Sequence, residues 1–226
     1  MQIVVFLSIK NKQRMLHIKS FTLGFAAENT YIIYADNKSA WLIDPGNKSS
    51  GETDFIANFI KEKGLKIEKI LLTHAHIDHV LGLQWAFDTF KTPVLMHREE
   101  QQILDMFQMS GMRFGFQLPS INVEVKYINE CDKLTLDDEE FEIYHVPGHS
   151  PGSVVYHNTT SKFMISGDVL FKGSIGRTDL YKGNHDQLIE SIKTKLFVLD
   201  PETAVLAGHG DHTLICIEKK TNPFFT

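Results

Sequence analysis

LLTHAHIDHVLG, residues 71–82, places His74, His76, Asp78 and His79 within six consecutive positions. Imidazole and carboxylate groups at this density suit Zn²⁺, Fe²⁺ or Mn²⁺, and they indicate a metal site more strongly than a polar loop that happens to be rich in histidine. The first two histidines are two positions apart, so extended backbone projects both to one side. The aspartate and the third histidine follow where the chain turns, and we expect them to face a neighbouring point. Residues of this one loop could therefore serve two metal ions, and further ligands are needed from elsewhere in the chain.

The sequence on both sides of this cluster predicts where it lies in the fold. The apolar run IEKILLT (residues 67–73) is typical of a buried strand, and VLGLQWAFDTF (residues 80–90) is typical of a helix. The cluster is thus expected on a loop at the carboxyl end of a strand, where proteins commonly place functional residues. Short strands and helices recur in both halves of the chain, so we expect layers of sheet and helix, not a simple doubly wound sheet.

Three further polar side chains follow apolar strands later in the chain. His149 lies in VPGHSPGS, Asp168 in FMISGDVLF and His209 in VLAGHGD, and each stands beside or near a glycine, which permits close approach of the backbone. Alone, each is equally typical of a turn; together with the loop cluster they complete a set of metal ligands. Asp44 in LIDPG also ends an apolar strand. It is predicted either to accept a ring N–H from a ligand histidine or to form a turn before Pro45.

The composition excludes several classes of protein. With 226 residues, of which 42% are hydrophobic, the chain predicts one globular domain with a sizeable core. The net charge is −5 with both signs mixed, so no nucleic-acid partner is expected. No apolar run approaches the ~20 residues of a membrane span, so no membrane partner is expected. The two cysteines, Cys131 and Cys216, lie outside any CxxC motif, which favours a reducing, cytoplasmic location.

Hydrophobic periodicity predicts helices at residues 52–64, 98–109 and 185–199, the last of these being the final helix. Residues 108–122 contain Gly, Pro, Met and Phe without a clear period and predict a loop. This loop is expected either to form an apolar wall over the site or to pack on the core. Residues 1–14 are predicted either as an extension upstream of a start at Met15 or as an additional edge strand.

The motifs THAHIDH, GHSPGS, GD and GHG, in this order and spacing, resemble those of the metallo-β-lactamase superfamily. The resemblance covers nearly the whole chain from about Leu16 and implies a single domain over residues 15–226. It implies a mixed α+β or α/β fold, a four-layer αβ/βα sandwich with a binuclear metal site at one edge of its two sheets. Carried over by position, the first ion takes His74, His76 and His149, the second takes Asp78, His79 and His209, and Asp168 bridges the two.

The chemistry that the resemblance implies is hydrolysis. Two divalent ions, zinc or else iron or manganese, would share a water molecule whose pKa falls towards neutrality, so that a metal-bound hydroxide attacks the substrate. Asp78 is expected to orient the hydroxide and Asp168 to hold both ions, which makes these two the catalytic candidates.

The segment GDVLFKGSIGRTDLYKGNHDQLIESI (residues 167–192) resembles the short glyoxalase II-like hydrolases. This implies a small-molecule thioester substrate such as S-D-lactoylglutathione. The chain ends shortly after His209, so the helical C-terminal domain of long glyoxalase II enzymes is not expected. Arg177 is a candidate for binding a substrate carboxylate, and a buried ion pair with Asp179 is the alternative.

The GRTD stretch also resembles the persulfide dioxygenases of the same superfamily, which implies a different reaction. Those enzymes would use a single iron, here at His74, His149 and Asp168. The hydrolase is favoured by the GDVLFKG run and the helix that follows it. The sequence predicts no particular oligomeric state.

Overall fold

The structure, a computed structural model, describes residues 15–226, so the two alternatives for residues 1–14 lie outside the described residues. Two six-stranded sheets face each other, and helices cover their outer sides. The first sheet contains, in spatial order, β1 (Leu16–Leu23), β2 (Glu28–Ala35), β3 (Ser39–Ile43), β4 (Lys66–Leu71), β5 (Val94–His97) and β6 (Val125–Ile128). The strands that follow are β7 (Lys133–Leu136), β8 (Glu139–His145), β9 (Val154–Asn158), β10 (Phe163–Gly167), β11 (Leu170–Phe171), β12 (Ser174–Ile175), β13 (Ala204–Ala207) and β14 (Thr213–Leu214).

The second sheet has the order β14-β13-β10-β9-β8-β7, and β11 and β12 form a separate short hairpin. In the first sheet the neighbouring strands from β3 through β6 are parallel to one another, and in the second sheet β10 and β13 form a parallel pair. The remaining pairs are antiparallel. The helices are α1 (Ser50–Lys63), α2 (Leu83–Phe90), α3 (Gln101–Asp105), α4 (Phe107–Arg113), α5 (His185–Ser191) and α6 (Ile215–Thr221). Short 3-10 turns cover Ile77–His79 and Arg98–Glu100, and a π-helical turn covers Ile192–Leu196.

Three separate apolar layers confirm the predicted four-layer sandwich. Strand residues alternate between two of them, because successive side chains of a strand point to opposite faces. Ile32 faces outward and packs with Ile56 of α1, whereas Trp41 faces inward and packs with Phe141 of the second sheet. Leu188 of α5 belongs to the third layer, on the outer side of the second sheet. Each sheet is therefore covered on both faces, and helices form the outermost layers.

Helix α1 shows how local sequence sets an element that leads towards the site. Ser49 accepts a hydrogen bond from the Glu52 backbone N–H, while the Glu52 carboxylate accepts one from the Ser49 backbone N–H. This capping box satisfies donors that the first helical turn leaves unpaired. The helix ends before Gly64, whose φ of 64° suits glycine. The helix predicted at residues 52–64 is confirmed.

Two predictions about helices were wrong. Helix α4 occupies the first part of the loop predicted at residues 108–122, because Gly111 leaves room for Leu118 to pack back on the helix; a Cβ there would lie 2.6 Å from Leu118 Cδ1. The helix predicted at residues 185–199 is not the last one, since α6 follows it. Among the described residues, no helix has the length and apolar character needed to cross a membrane.

Direct hydrogen bonds join the two sheets at one edge. The Tyr156 hydroxyl donates to the Leu72 carbonyl at 2.7 Å, which ties β9 to the chain just after β4. On the other side, the Asn29 backbone N–H donates to the Gly208 carbonyl at 2.7 Å, and the Tyr31 hydroxyl donates to the Ala207 carbonyl at 2.7 Å. These contacts fix the carboxyl ends of β4 and β13 against strands of the opposite sheet.

Candidate metal centre

All seven predicted ligands lie at this edge, on loops that follow strands of both sheets. The loop after β4 carries four of them, and single residues follow β8, β10 and β13. The structure thus brings together His74, His76, Asp78, His79, His149, Asp168 and His209.

Three histidines form the first group, named here the three-histidine group: His74, His76 and His149. His149 Nε2 lies 2.8 Å from His76 Nδ1 and 3.2 Å from His74 Nε2. Their rings meet nearly edge to face, with interplanar angles of 80° to 90°. The nitrogen atoms therefore converge on one point while the ring bodies point away from it.

Asp78, His79 and His209 form the second group, named here the mixed group. His209 Nε2 lies 3.2 Å from Asp78 Oδ2, and His79 Nε2 lies 4.0 Å from the same oxygen. Asp168 stands between the two groups: its Oδ2 is 3.6 Å from His149 Nε2 and 3.5 Å from His209 Nε2. Its Oδ1 is 3.3 Å from His79 Nε2. One carboxylate thus faces both groups.

Hydrogen bonds on the outer side of the rings fix the tautomers of two of the three histidines, His74 and His149. Thr73 Oγ1 donates to Asp44 Oδ2 at 2.6 Å, so at 3.1 Å it accepts the Nδ1–H of His74. His149 Nδ1 donates to the Arg177 carbonyl at 2.7 Å. In the neutral rings this leaves both Nε2 atoms without hydrogen, and two bare nitrogen atoms 3.2 Å apart cannot bond each other.

The same arrangement recurs in the mixed group. His79 Nδ1 donates to Asp44 Oδ2 at 3.1 Å, and His209 Nδ1 donates to the Ala26 carbonyl at 3.1 Å. Metal-binding histidines usually donate their second ring N–H to a carboxylate or carbonyl in this way. The structure places Asp44 in the first of the two roles predicted for it, as the acceptor for a candidate ligand.

These atoms fit two divalent ions. Ligand atoms about 2.1 Å from a tetrahedral ion are about 3.4 Å apart; the ligand atoms of each group lie within 4.8 Å of one another, and His149 Nε2 and His76 Nδ1 are 2.8 Å apart. His79 Nε2 and Asp168 Oδ1 are buried and have no hydrogen-bond partner among residues 15–226. Buried polar atoms without partners are costly, so atoms that face each other across a gap are consistent with a shared cation.

The two groups differ in charge before any ion is bound. Burial lowers the pKa of all three histidines of the three-histidine group, and that of His76 falls to about 3, so their rings are neutral. Burial also opposes protonation in the mixed group, but there the carboxylates of Asp168 and Asp78 outweigh it. They raise the pKa of His209 to about 10 and that of His79 well above its usual value. A cation at the mixed group therefore replaces bound protons.

A third histidine cluster has a different geometry. The rings of His97 and His145 are parallel, 15° apart with centroids separated by 4.1 Å. His145 Nε2 lies 2.8 Å from the Pro151 carbonyl, and His97 Nδ1 accepts from the Glu99 backbone N–H at 3.3 Å. These are stacked, hydrogen-bonded rings, in contrast to the edge-to-face rings of the three-histidine group.

Arg177 forms a two-pronged ion pair with Asp179, with Nε–Oδ1 and Nη2–Oδ2 distances of 2.7 and 2.8 Å. The pair is exposed, not buried, so the guanidinium remains accessible while paired. The backbone of Arg177 contributes separately, because its carbonyl accepts the ring N–H of His149. An ion pair with Asp179 was one of the two alternatives predicted for Arg177, but it was expected to be buried; the backbone role was not predicted.

The turn between β1 and β2 carries an aromatic surface beside the mixed group. Phe25 on this turn contacts Phe114 and Phe116, with ring centroids 5.1 and 5.2 Å apart. The next residue, Ala26, holds His209 through its carbonyl. Phe116 packs against the core, which is one of the two roles predicted for the 108–122 segment, whereas Phe114 is exposed and contacts Phe25.

Two buried carboxylates near the site carried no signal in the sequence. Glu28 is fully buried, and its Oε1 lies 3.7 Å from His79 Nδ1; burial raises its pKa well above the usual value. Glu100 is also fully buried and accepts hydrogen bonds from the loops of the three-histidine group. Glutamate is seldom buried, so residue type alone gives no reason to expect either position.

Known proteins share this fold and much of this sequence. The family model described as the metallo-beta-lactamase superfamily matches residues 23–209. The chain is 38% identical over 201 residues to hydroxyacylglutathione hydrolase GloC of Haemophilus influenzae, covering 87% of this chain and 92% of that protein. It resembles the crystal structure of the B3 metallo-beta-lactamase BLEG-1 with a TM-score of 0.85 and 37% identity, covering 92% of this chain and 99% of the other. The di-iron-bound form of TTHA1623 gives a TM-score of 0.83 and 33% identity, covering 91% and 99%.

Proposed function

The chain belongs to the metallo-beta-lactamase superfamily, and we propose that it is a dinuclear metal-dependent thioesterase. The observation that carries the proposal is the position of Asp168, within 3.3 to 3.6 Å of histidines from both groups. A carboxylate shared in this way suits two ions held side by side. The di-iron form of a 33% identical structure is consistent with two ions.

The proposed assignment gives each group one ion. His74, His76 and His149 would hold the first, Asp78, His79 and His209 the second, and Asp168 both. Two divalent ions, zinc or else iron or manganese, would supply Lewis acidity and a water molecule of lowered pKa. Asp78 and Asp168 are the proposed catalytic residues.

The partly exposed side of the site is where a substrate would reach these residues. Asp78 and His209 retain 16% and 25% of their side-chain exposure, whereas His79 has none. Asp78 would accept a hydrogen bond from the attacking water molecule, so that a lone pair of the water oxygen stays directed at the substrate carbon. Arg177 is the candidate for binding a substrate carboxylate, since its guanidinium is 63% exposed.

Support for a thioester comes from the leaving group and from a relative. A thiolate leaves without much help from a general acid, which suits a site built from metal ligands and carboxylates. The 38% identical relative is named as a hydroxyacylglutathione hydrolase, which makes S-D-lactoylglutathione the proposed test substrate.

One experiment tests the proposal. Metal content is measured in purified protein alongside three assays: lactoylglutathione hydrolysis, β-lactam hydrolysis, and oxygen uptake with glutathione persulfide. We expect two metals per chain and thioester hydrolysis. The β-lactam assay is included because a 37% identical structure is a metallo-beta-lactamase, and turnover of β-lactam alone would contradict the proposal.

The competing function, a mononuclear iron persulfide dioxygenase, makes an opposite prediction for the mixed group. His209→Ala would remove a ligand that the hydrolase needs and that a single iron at His74, His149 and Asp168 does not. The hydrolase predicts loss of one metal and of thioester hydrolysis, whereas the dioxygenase predicts retained iron and oxygen uptake. His212→Ala is the matched control, because it alters an exposed histidine three positions away.

A further inference from the structure

Glu100 is a buried charge that the proposed chemistry does not use. It ends the 3-10 turn that follows β5, and its side chain is 0% exposed. A carboxylate removed from water is tolerated only where donors replace the lost hydration. Its partners therefore show what the residue does.

The Glu100 carboxylate accepts hydrogen bonds from both loops of the three-histidine group. Oε2 accepts the Ala75 backbone N–H at 2.8 Å. Oε1 accepts the Gly152 backbone N–H and the Ser150 hydroxyl, both at 2.7 Å. Ala75 lies between two of the three histidines, and Ser150 directly follows the third. One side chain thus joins the two loops that supply the group.

Gly152 makes this contact possible. A Cβ at this position would lie 2.9 Å from Glu100 Cγ and 3.0 Å from the Glu100 backbone nitrogen, closer than Cβ atoms normally approach. Glycine therefore lets the loop after His149 come within hydrogen-bond distance of the carboxylate. Gly152 and Glu100 together form the hydrogen-bonded contact between the two loops.

We infer that Glu100 is a positioning residue, which joins the two histidine-bearing loops and thereby sets the affinity of the three-histidine group for its ion. The inference rests on the proposed function, since it takes that group as a metal site. Its hydrogen bonds fix the backbone on either side of the ligands, so their loss lets the nitrogen atoms drift from a common point. Outer hydrogen bonds of this kind are typically worth about 10- to 100-fold in metal affinity.

Glu100→Gln is the direct test, because glutamine keeps the shape but turns one acceptor into a donor. Whichever way the amide is turned, its NH₂ faces a donor. The two stepwise zinc affinities are measured by competition with a chromophoric chelator. We expect one affinity to fall by about 10- to 100-fold and the other to stay unchanged.

Combining Glu100→Gln with each of two further substitutions shows which group of ligands has the weakened zinc affinity. In His209→Ala, where the mixed group is incomplete, Glu100→Gln should still weaken the remaining site. In His76→Ala, where the three-histidine group is incomplete, it should have no effect on the ion that remains. The reverse pattern would overturn the inference.

Glu218→Gln is the matched control for a merely structural role. Glu218 is also 0% exposed and accepts hydrogen bonds from the Gly173 N–H, the Thr213 hydroxyl and the Asn222 side-chain amide, at 2.6 to 2.8 Å. We expect this variant to melt at a lower temperature with both zinc affinities unchanged. If Glu100→Gln behaves in the same way, or if both variants weaken zinc equally, Glu100 is not a positioning residue.

Gly152→Ala keeps the test usable if Glu100→Gln fails to fold. The added methyl group would push the loop after His149 away from Glu100, so it should weaken the same stepwise zinc affinity that Glu100→Gln weakens. Unchanged affinities in this variant would count against the inference. Wild-type protein that binds no zinc, iron or manganese would instead contradict the proposed function, so the two failures are distinguishable.

Discussion

Gly208→Ala is predicted to weaken the dinuclear site by adding a single methyl group. Gly208 precedes His209 and does not have the left-handed backbone that favours glycine, so alanine is allowed there conformationally. Space is the constraint: a Cβ would overlap Asp168 Oδ1 and would lie 2.7 Å from His79 Cε1. The substitution therefore acts on the carboxylate between the groups and on one ligand ring of the mixed group.

The size of the effect follows from these distances. Carbon atoms in favourable contact are about 3.5 Å apart, so the His79 ring must move by about 0.8 Å from its 2.7 Å position. Metal sites tolerate about 0.2 Å in ligand distance, and a misplacement near 1 Å can cost about 100-fold in reaction rate. We therefore expect the weaker zinc affinity to fall, and thioester hydrolysis to fall at least about 100-fold, or about 2.7 kcal/mol in activation free energy.

Gly210→Ala is the matched control, two residues along the same loop. A Cβ at Gly210 meets nothing within 4 Å, but its φ of 72° is unfavourable for alanine. This variant should lose about 1–2 kcal/mol of stability and keep both metals. The assay is metal content and chelator competition, with thermal melting of the metal-loaded proteins. Two tightly bound metals and full activity in Gly208→Ala would refute the reasoning, because Asp168 would then not need its position.

Four further predictions concern the same site. Asp168→Ala should lose most of both metals, measured by elemental analysis, because this carboxylate faces both groups. Asp44→Asn should weaken one zinc affinity by about 10- to 100-fold in chelator competition, since its amide must face a donor; an unchanged affinity would contradict this role. Burial opposes protonation of His209, but Asp168 and Asp78 raise its pKa to about 10. Zinc binding at the mixed group should therefore displace a proton, and the zinc affinity should rise with pH below that pKa. Calorimetry in buffers of different ionisation enthalpy measures the released proton. Arg177→Ala should raise KM for lactoylglutathione and leave kcat nearly unchanged, and an unaltered KM would exclude substrate contact.

The gathering of the candidate ligands at one edge could be predicted because their chemistry is visible in residue type and spacing. Four imidazole and carboxylate side chains in one loop, and three more beside glycines at strand ends, are a combination typical of metal sites. The groups that accept the second ring N–H of these histidines could not be predicted in the same way. His149 and His209 donate to backbone carbonyls of Arg177 and Ala26, and a carbonyl is present whatever the residue type.

Helix α6 shows why periodicity misses some elements. Its exposed Ile217 and fully buried Glu218 reverse the usual pattern of apolar residues inside and charged residues outside. Glu218 is buried because Gly173 and Thr213 supply donors from elsewhere in the fold. A sequence pattern records only the polarity of the side chain, so tertiary partners of this kind lie outside its reach.

The joining of the two sheets at the site has a consequence for how the fold is held together. On the proposed assignment neither sheet supplies a full set of ligands, since the loop after β4 belongs to one sheet and His149, Asp168 and His209 belong to the other. Each ion would then cross-link two halves of one chain, and protonation of its ligands or a chelator would remove this cross-link. Stripping the metal should loosen this edge before the apolar layers separate, so that metal supply would tune the rigidity of the sandwich as well as its chemistry.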